Sequence, residues 1–154
     1  MPQKIIALLR GILIVGLLGC LGIQALLTAM LFLDPADSYR GARIAAVSVI
    51  VIGFVCVEVA LACVWQLLTL VRRGKVFSPL AFRWVDVIIG AITVAAVLVL
   101  ILGYIVGEVD DDPGVILIGA VLALLVAGVA LIVYVQRMLL VQAAGFSAEL
   151  DAVI

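Results

Sequence analysis

Glu58 stands in the middle of "IGFVCVEVALACVW", residues 52–65, with no other charged side chain between Ile44 and Val71. A charged group at the centre of a membrane-spanning helix costs roughly 2.5–3.5 kcal/mol on insertion scales, so an acid in this setting is a candidate functional group by default. If the preceding apolar run crosses beside it in the opposite sense, Gln24 lies at the same depth, and that match predicts a hydrogen bond between Glu58 and Gln24. Such an intramembrane polar pair either clasps two helices statically or forms a site for a proton or cation.

Other chemistry in the chain is thinner. Cys20, Cys56 and Cys63 lie inside apolar runs, and Cys20 and Cys63 have similar depth, but there is no C-x-x-C and nothing to acidify a thiol. They read as small hydrophobes. Asp110, Asp111 and Asp112 offer hard oxygen ligands, yet their spacing matches no calcium loop. The simpler expectation is that Asp112 caps the following helix while the other two favour its positive end. Histidine is absent altogether, which removes the commonest general base and metal ligand. With no Gly-rich phosphate loop and no G-x-S-x-G, the expectation is a protein that is not an enzyme, with no catalytic residue, no metal site and no cofactor.

The elements that must carry these residues follow from composition. Of 154 residues, 68% are apolar and 12% charged, against roughly 45–50% and about 25% in soluble domains. Four runs exceed the roughly 20 residues needed to cross about 30 Å of hydrocarbon: 11–33, 44–71, 80–107 and 114–136. None alternates polar with apolar as barrel strands do. Ser78-Pro79 and Asp112-Pro113 precede the third and fourth runs, and a side-chain acceptor followed by proline is helix-start punctuation. Lys4, Arg10 and the run to "LLGC" resemble a lipoprotein signal ending at Cys20, but apolar chain continues from Leu21 to Leu33, so this stretch reads as an uncleaved first span.

The fold expected is therefore all-α: one membrane domain, an up-down four-helix bundle whose short links make sequential helices antiparallel neighbours. Lys4, Arg10, Arg72, Arg73, Lys75, Arg83 and Arg137 fall on the side of the termini, and only Arg40 and Arg43 on the other, which places both termini in the cytoplasm. Asp34, Asp37, Glu108 and Asp110 to Asp112 occupy the outer turns. Trp65, Trp84 and Tyr134 sit near the inner interface, and Phe32, Tyr39 and Tyr104 near the outer one. Small residues at close spacing, Gly16, Gly19 and Gly22, Ala91 and Ala95, and Gly119, Ala123 and Ala127, suit close helix contact within the bundle or, as a second use, between copies of the chain in a homo-oligomer.

Two polar segments remain. "VRRGKVFSPLAFRWVDV", residues 71–87, gathers Arg72, Arg73 and Lys75 after helix two, Gly74 for the turn, Phe77 for the headgroup layer, and Arg83 with Asp86 three residues on, spaced to pair. After Arg137, Leu139, Phe146, Leu150 and Val153 recur at helical spacing among Gln142, Ser147, Glu149 and Asp151, so an amphipathic helical tail is expected, with Gly145 a point of break or bend.

These segments carry a resemblance. "WQLLTLVRRGKVFSPLAFRWVDVI" with the terminal "RMLLVQAAGFSAELDAVI" resembles bacterial membrane proteins of the domain-of-unknown-function 2975 family across essentially all four spans. The R-R-G-K-V-F-S segment followed by F-R-x-V-D is the most specific part, and E-L-D-x-V-I the next. The resemblance implies a small four-helix protein often encoded beside a short helix-turn-helix DNA-binding regulator, and no established catalytic residues. The expected function is a regulator or scaffold, with Arg72, Arg73, Lys75, Phe77, Arg83, Asp86, Phe146 and Leu150 docking such a soluble partner. Membrane lipid is the other partner; direct nucleic-acid binding is not expected, since the acidic tail dilutes the basic patch. The alternative is a small transporter or channel with Gln24 and Glu58 at its midplane.

Overall fold

The computed structural model describes residues 3–33, 38–75 and 78–154. They form four helices, α1 (Gln3–Leu33), α2 (Arg40–Arg72), α3 (Pro79–Asp110) and α4 (Pro113–Val153). Each is long and apolar enough to span a membrane, so the chain is an all-α, multi-pass membrane protein. The helices outrun the apolar stretches at several ends, because lipid crossing sets only a minimum length and charged residues such as Lys4 and Arg40 do not themselves break a helix.

Packing is inside out relative to a soluble protein. The buried positions are mostly small, among them Cys63, Ala81, Ala96, Ala123, Ala130, Gly107 and Gly119, while large apolar side chains such as Leu117, Leu124 and Leu131 are exposed. That distribution fits lipid as the solvent, where contact between helices depends on close backbone approach. The closest approach lies between α3 and α4: a methyl added to Gly103 would stand 2.8 Å from the Gly119 Cα, and one added to Gly107 would collide with Ile116.

The links are set by capping chemistry. At the end of α2, Gly74 takes φ +68°, and the Gly74 and Lys75 amides donate to the Val71 and Leu70 carbonyls, at 3.1 Å each, closing a Schellman motif. The turn expected at Gly74 is there. Between α3 and α4, Asp111 is left-handed (φ 55°), a conformation aspartate tolerates better than most residues, and the Asp112 amide donates to the Gly107 carbonyl at 3.1 Å. The Asp112 carboxylate then accepts from the Gly114 amide at 2.8 Å, capping α4 as the sequence implies, with Pro113 at its first position. Ser78 holds the matching position before Pro79, but its hydroxyl makes no capping bond and is buried without a partner.

Sequential helices run antiparallel in contact, α1 on α2, α2 on α3, α3 on α4. Among the described residues, no Cα of α1 comes within 8 Å of α3 or α4, nor of α2 within 8 Å of α4. The bundle is thus open along the side between α1 and α4. Three polar ties, at the two ends and the middle, link α1 to α2: Arg10 to Thr69, Gln24 to Glu58, and Arg43 to the Met30 carbonyl. Lastly, α4 passes through Gly145 without interruption to Val153. The expected break does not occur, because one glycine costs only about 1 kcal/mol of helix and Ala143, Ala144, Ala148 and Glu149 around it are strong helix formers.

Candidate functional site

The midplane pair forms as matched depth implies. Gln24 on α1 donates through Nε2 to Glu58 Oε1 on α2 at 2.9 Å, and both residues are half-buried. One turn along α1, Thr28 satisfies itself locally, donating to the Gln24 carbonyl at 2.6 Å. The Gln24–Glu58 bond is therefore the polar contact between α1 and α2 at this depth. Deleting either partner should cost more than deleting both, since a lone polar group in hydrocarbon keeps its desolvation penalty. In a double-mutant cycle with Gln24→Leu and Glu58→Leu, the expected coupling is about 1 kcal/mol, near intramembrane hydrogen bonds measured elsewhere. Reversible unfolding in mixed micelles measures it; a coupling near zero would mean that the bond contributes nothing to holding α1.

The second group of residues collects at one end of the molecule. The antiparallel order brings the start of α1, the α2–α3 link and the later part of α4 together there. Arg72, Arg73, Lys75 and Arg83 are all exposed, and Phe77 lies outside the described residues, as do Asp34 and Asp37. Asp86 does not pair with Arg83. Its carboxylate meets Arg137 of α4, with Nη2 donating to Oδ2 at 2.8 Å and Nε against Oδ1. The correction has a physical reason: Asp86 faces α4, where a guanidinium can bind it with two nitrogens, whereas Arg83 offers only a side-by-side pair three residues away on the same helix. Asp86 consequently fastens α3 to α4, and Arg83 has no acidic partner among the described residues.

By the same register the start of α3 lies level with Ala144, and every residue from Gly145 to Ile154 is exposed. Phe146, Leu150 and Val153 are 67%, 66% and 87% exposed and share a helical face. Glu149 and Asp151 are exposed beside them.

The remaining candidates separate. Cys20, Cys56 and Cys63 are free thiols, with Cys63 buried. The three aspartates take three roles: Asp110 ends α3, Asp111 holds the left-handed link and Asp112 caps α4. Asp110 and Asp111 thus belong to the end of α3, more than to the start of α4 as the sequence suggested.

One arrangement escaped sequence reasoning. Arg10 lays its guanidinium over the Trp65 ring, 5.0 Å from the centroid, and Nη2 lies 3.4 Å from Thr69 Oγ1. The sequence places Trp65 near the inner interface and gives it no partner. The depth count that matches Gln24 with Glu58 puts Arg10 level with Arg72 and Trp65 level with Leu17, so the contact depends on the reach of the arginine side chain along the seam, which spacing does not give.

No curated protein and no solved structure matches the chain. A family model described as "Protein of unknown function (DUF2975)" does match, over residues 6–154, with the Arg72–Ser78 segment, the Asp86–Arg137 tie, the midplane pair and the exposed tail all inside it, and the chain belongs to that family.

Proposed function

We propose that this protein is a non-enzymatic regulator or scaffold of the bacterial inner membrane, docking a soluble partner on its cytoplasmic end. The observation that carries the reading is the end of α4. Phe146, Leu150 and Val153 form an exposed apolar stripe beyond the start of α3, with Glu149 and Asp151 beside them. A helix that leaves the bundle with such a stripe is suited to bind in the groove of another helical protein. Arg72, Arg73, Lys75 and Arg83 add positive charge at the same end of the molecule, which steers an acidic surface toward it. The partner fitting the family resemblance is a small helix-turn-helix regulator, held at the membrane and released when the bundle changes state.

Co-expression tests this. A helix-turn-helix regulator of the kind that the family resemblance implies is expected in the membrane fraction with the intact chain, and largely in the soluble fraction when Phe146→Asp and Leu150→Asp are combined. Arg72→Gln, Arg73→Gln and Lys75→Gln together should weaken recruitment more at low salt than at high salt, because salt already screens the attraction that they remove. A regulator that stays soluble with the intact chain sinks the reading. The second reading, a small transporter or channel, draws on the half-buried Gln24–Glu58 pair. Proton or cation flux in vesicles that disappears in Glu58→Gln would favour it over the scaffold.

A further inference from the structure

Arg10 is held in place by neutral groups alone. Its guanidinium rests on the Trp65 ring and reaches Thr69 Oγ1, and that hydroxyl is free to accept because its own proton goes to the Trp65 carbonyl at 3.0 Å. A guanidinium has five N–H donors, and the buried Arg10 Nε has no partner. Beside it opens a cleft of about 280 Å³ lined by Ile6, Ala7, Arg10 and Arg72. Two arginines therefore line one small space, with no carboxylate paired to either among the described residues. The acids of this end are elsewhere: Asp86 is taken by Arg137, and Glu149 and Asp151 ride on α4, which packs only on α3.

The cleft has an apolar neighbour on the same two helices. Deeper along the same α1–α2 seam lies an apolar cavity of about 330 Å³, whose walls include Leu13, Leu17, Leu61 and Trp65. Trp65 links them: its ring supports Arg10, which lines the cleft, and the residue itself lines the apolar cavity. A cationic cleft at the interface beside an apolar groove has the layout of a phospholipid, an anionic head followed by an acyl chain. A free phosphate would use only the first part. Guanidinium groups suit phosphate oxygens through paired N–H donors, and basic pockets between membrane helices recognise anionic headgroups in this way.

We infer that the α1–α2 seam binds one anionic phospholipid, its phosphate between Arg10 and Arg72 and an acyl chain along Leu13, Leu17, Leu61 and Trp65. The bound lipid adds material to the seam that secures α1, the helix at the edge of the open bundle. The site depends neither on a soluble partner nor on which side of the membrane this end faces.

Native mass spectrometry of the full chain in non-ionic detergent, titrated with phosphatidylglycerol or phosphatidylcholine of matched chains, tests it. Phosphatidylglycerol is expected to be retained about tenfold more strongly, a margin in keeping with two basic contacts. Arg10→Gln combined with Arg72→Gln should lower its retention to the phosphatidylcholine level, and Arg83→Gln should leave it unchanged. Leu17→Trp, which fills the apolar groove and keeps every charge, should also release the lipid, providing a variant that does not touch Arg10. Equal retention of the two lipids overturns the inference, as does an Arg83→Gln loss equal to that of the double variant. Displacement by millimolar inorganic phosphate as effective as by lipid would reassign the cleft to a free anion and overturn it too.

Discussion

Replacing Gly103 with leucine is expected to separate α3 from α4 and destabilise the protein by about 3 kcal/mol, the upper end of what overpacking usually costs. The size follows from what the side chain would meet. A Cβ at Gly103 lies 2.8 Å from the Gly119 Cα and 3.6 Å from that residue's N and carbonyl carbon, so the obstacle is backbone, which has no rotamer to change. Even Gly103→Ala should destabilise, although glycine to alanine ordinarily favours a helix by about 1 kcal/mol. The sign is therefore diagnostic. Gly90 and Gly128 have nothing within 4 Å of an added Cβ, and Gly90→Ala and Gly128→Ala should be neutral or stabilising. Unfolding in mixed micelles reads all of these. If Gly103→Leu proved as stable as Gly90→Leu, the two backbones would not be in contact and the α3–α4 hairpin would be wrongly placed.

The Gly103–Gly119 contact also shows where sequence reasoning succeeds and where it stops. Spans, their number and the antiparallel order follow from run length and short links. Depth follows from them, and it brought Gln24 to Glu58 correctly. The same count about the tight Asp111–Asp112 link pairs Gly103 with Gly119 and Asp86 with Arg137. For Asp86, the local rule pairs it with Arg83 on the same helix, but the long-range partner wins because the Arg137 guanidinium meets the carboxylate with two nitrogens. Rotation of each helix about its axis is what depth cannot supply. In a soluble protein the apolar stripe gives that angle, but here lipid-facing and helix-facing sides are equally apolar, so the stripe is faint. The open side between α1 and α4 was hidden for the same reason: nothing in the composition of α1 distinguishes a helix packed on one neighbour from a helix packed on two. Arg10 on Trp65 needed rotation and the reach of the arginine side chain together. Gly145 failed differently, through weighing one residue's helix propensity above the favourable residues around it.

Orientation is the remaining large effect, and it is all-or-none. A fluorescent protein fused after Ile154 is expected to fluoresce and alkaline phosphatase fused there to be inactive, while phosphatase inserted between Asp111 and Asp112 should be active. The reason is the charge distribution: seven of the nine basic residues, Lys4, Arg10, Arg72, Arg73, Lys75, Arg83 and Arg137, belong to the end holding the termini and the α2–α3 link, and Arg40 and Arg43 to the other. Basic residues that flank spans are retained on the cytoplasmic side, and each contributes about 1 kcal/mol beside an anionic leaflet. Arg72→Gln, Arg73→Gln and Lys75→Gln together weaken that bias by about 3 kcal/mol, on the order of a hundredfold in the ratio of the two orientations. The Schellman turn at Gly74 should survive, because it is made by backbone amides and carbonyls and uses none of the three side chains. Placing arginine at positions 110–112 in the same variant leaves four basic residues at the end holding the termini and five at the other, which reverses the imbalance, and the two reporters should then exchange their signals. Active phosphatase at the terminus of the unaltered chain would put Phe146 and Leu150 outside the cell, where no DNA-binding regulator could meet them.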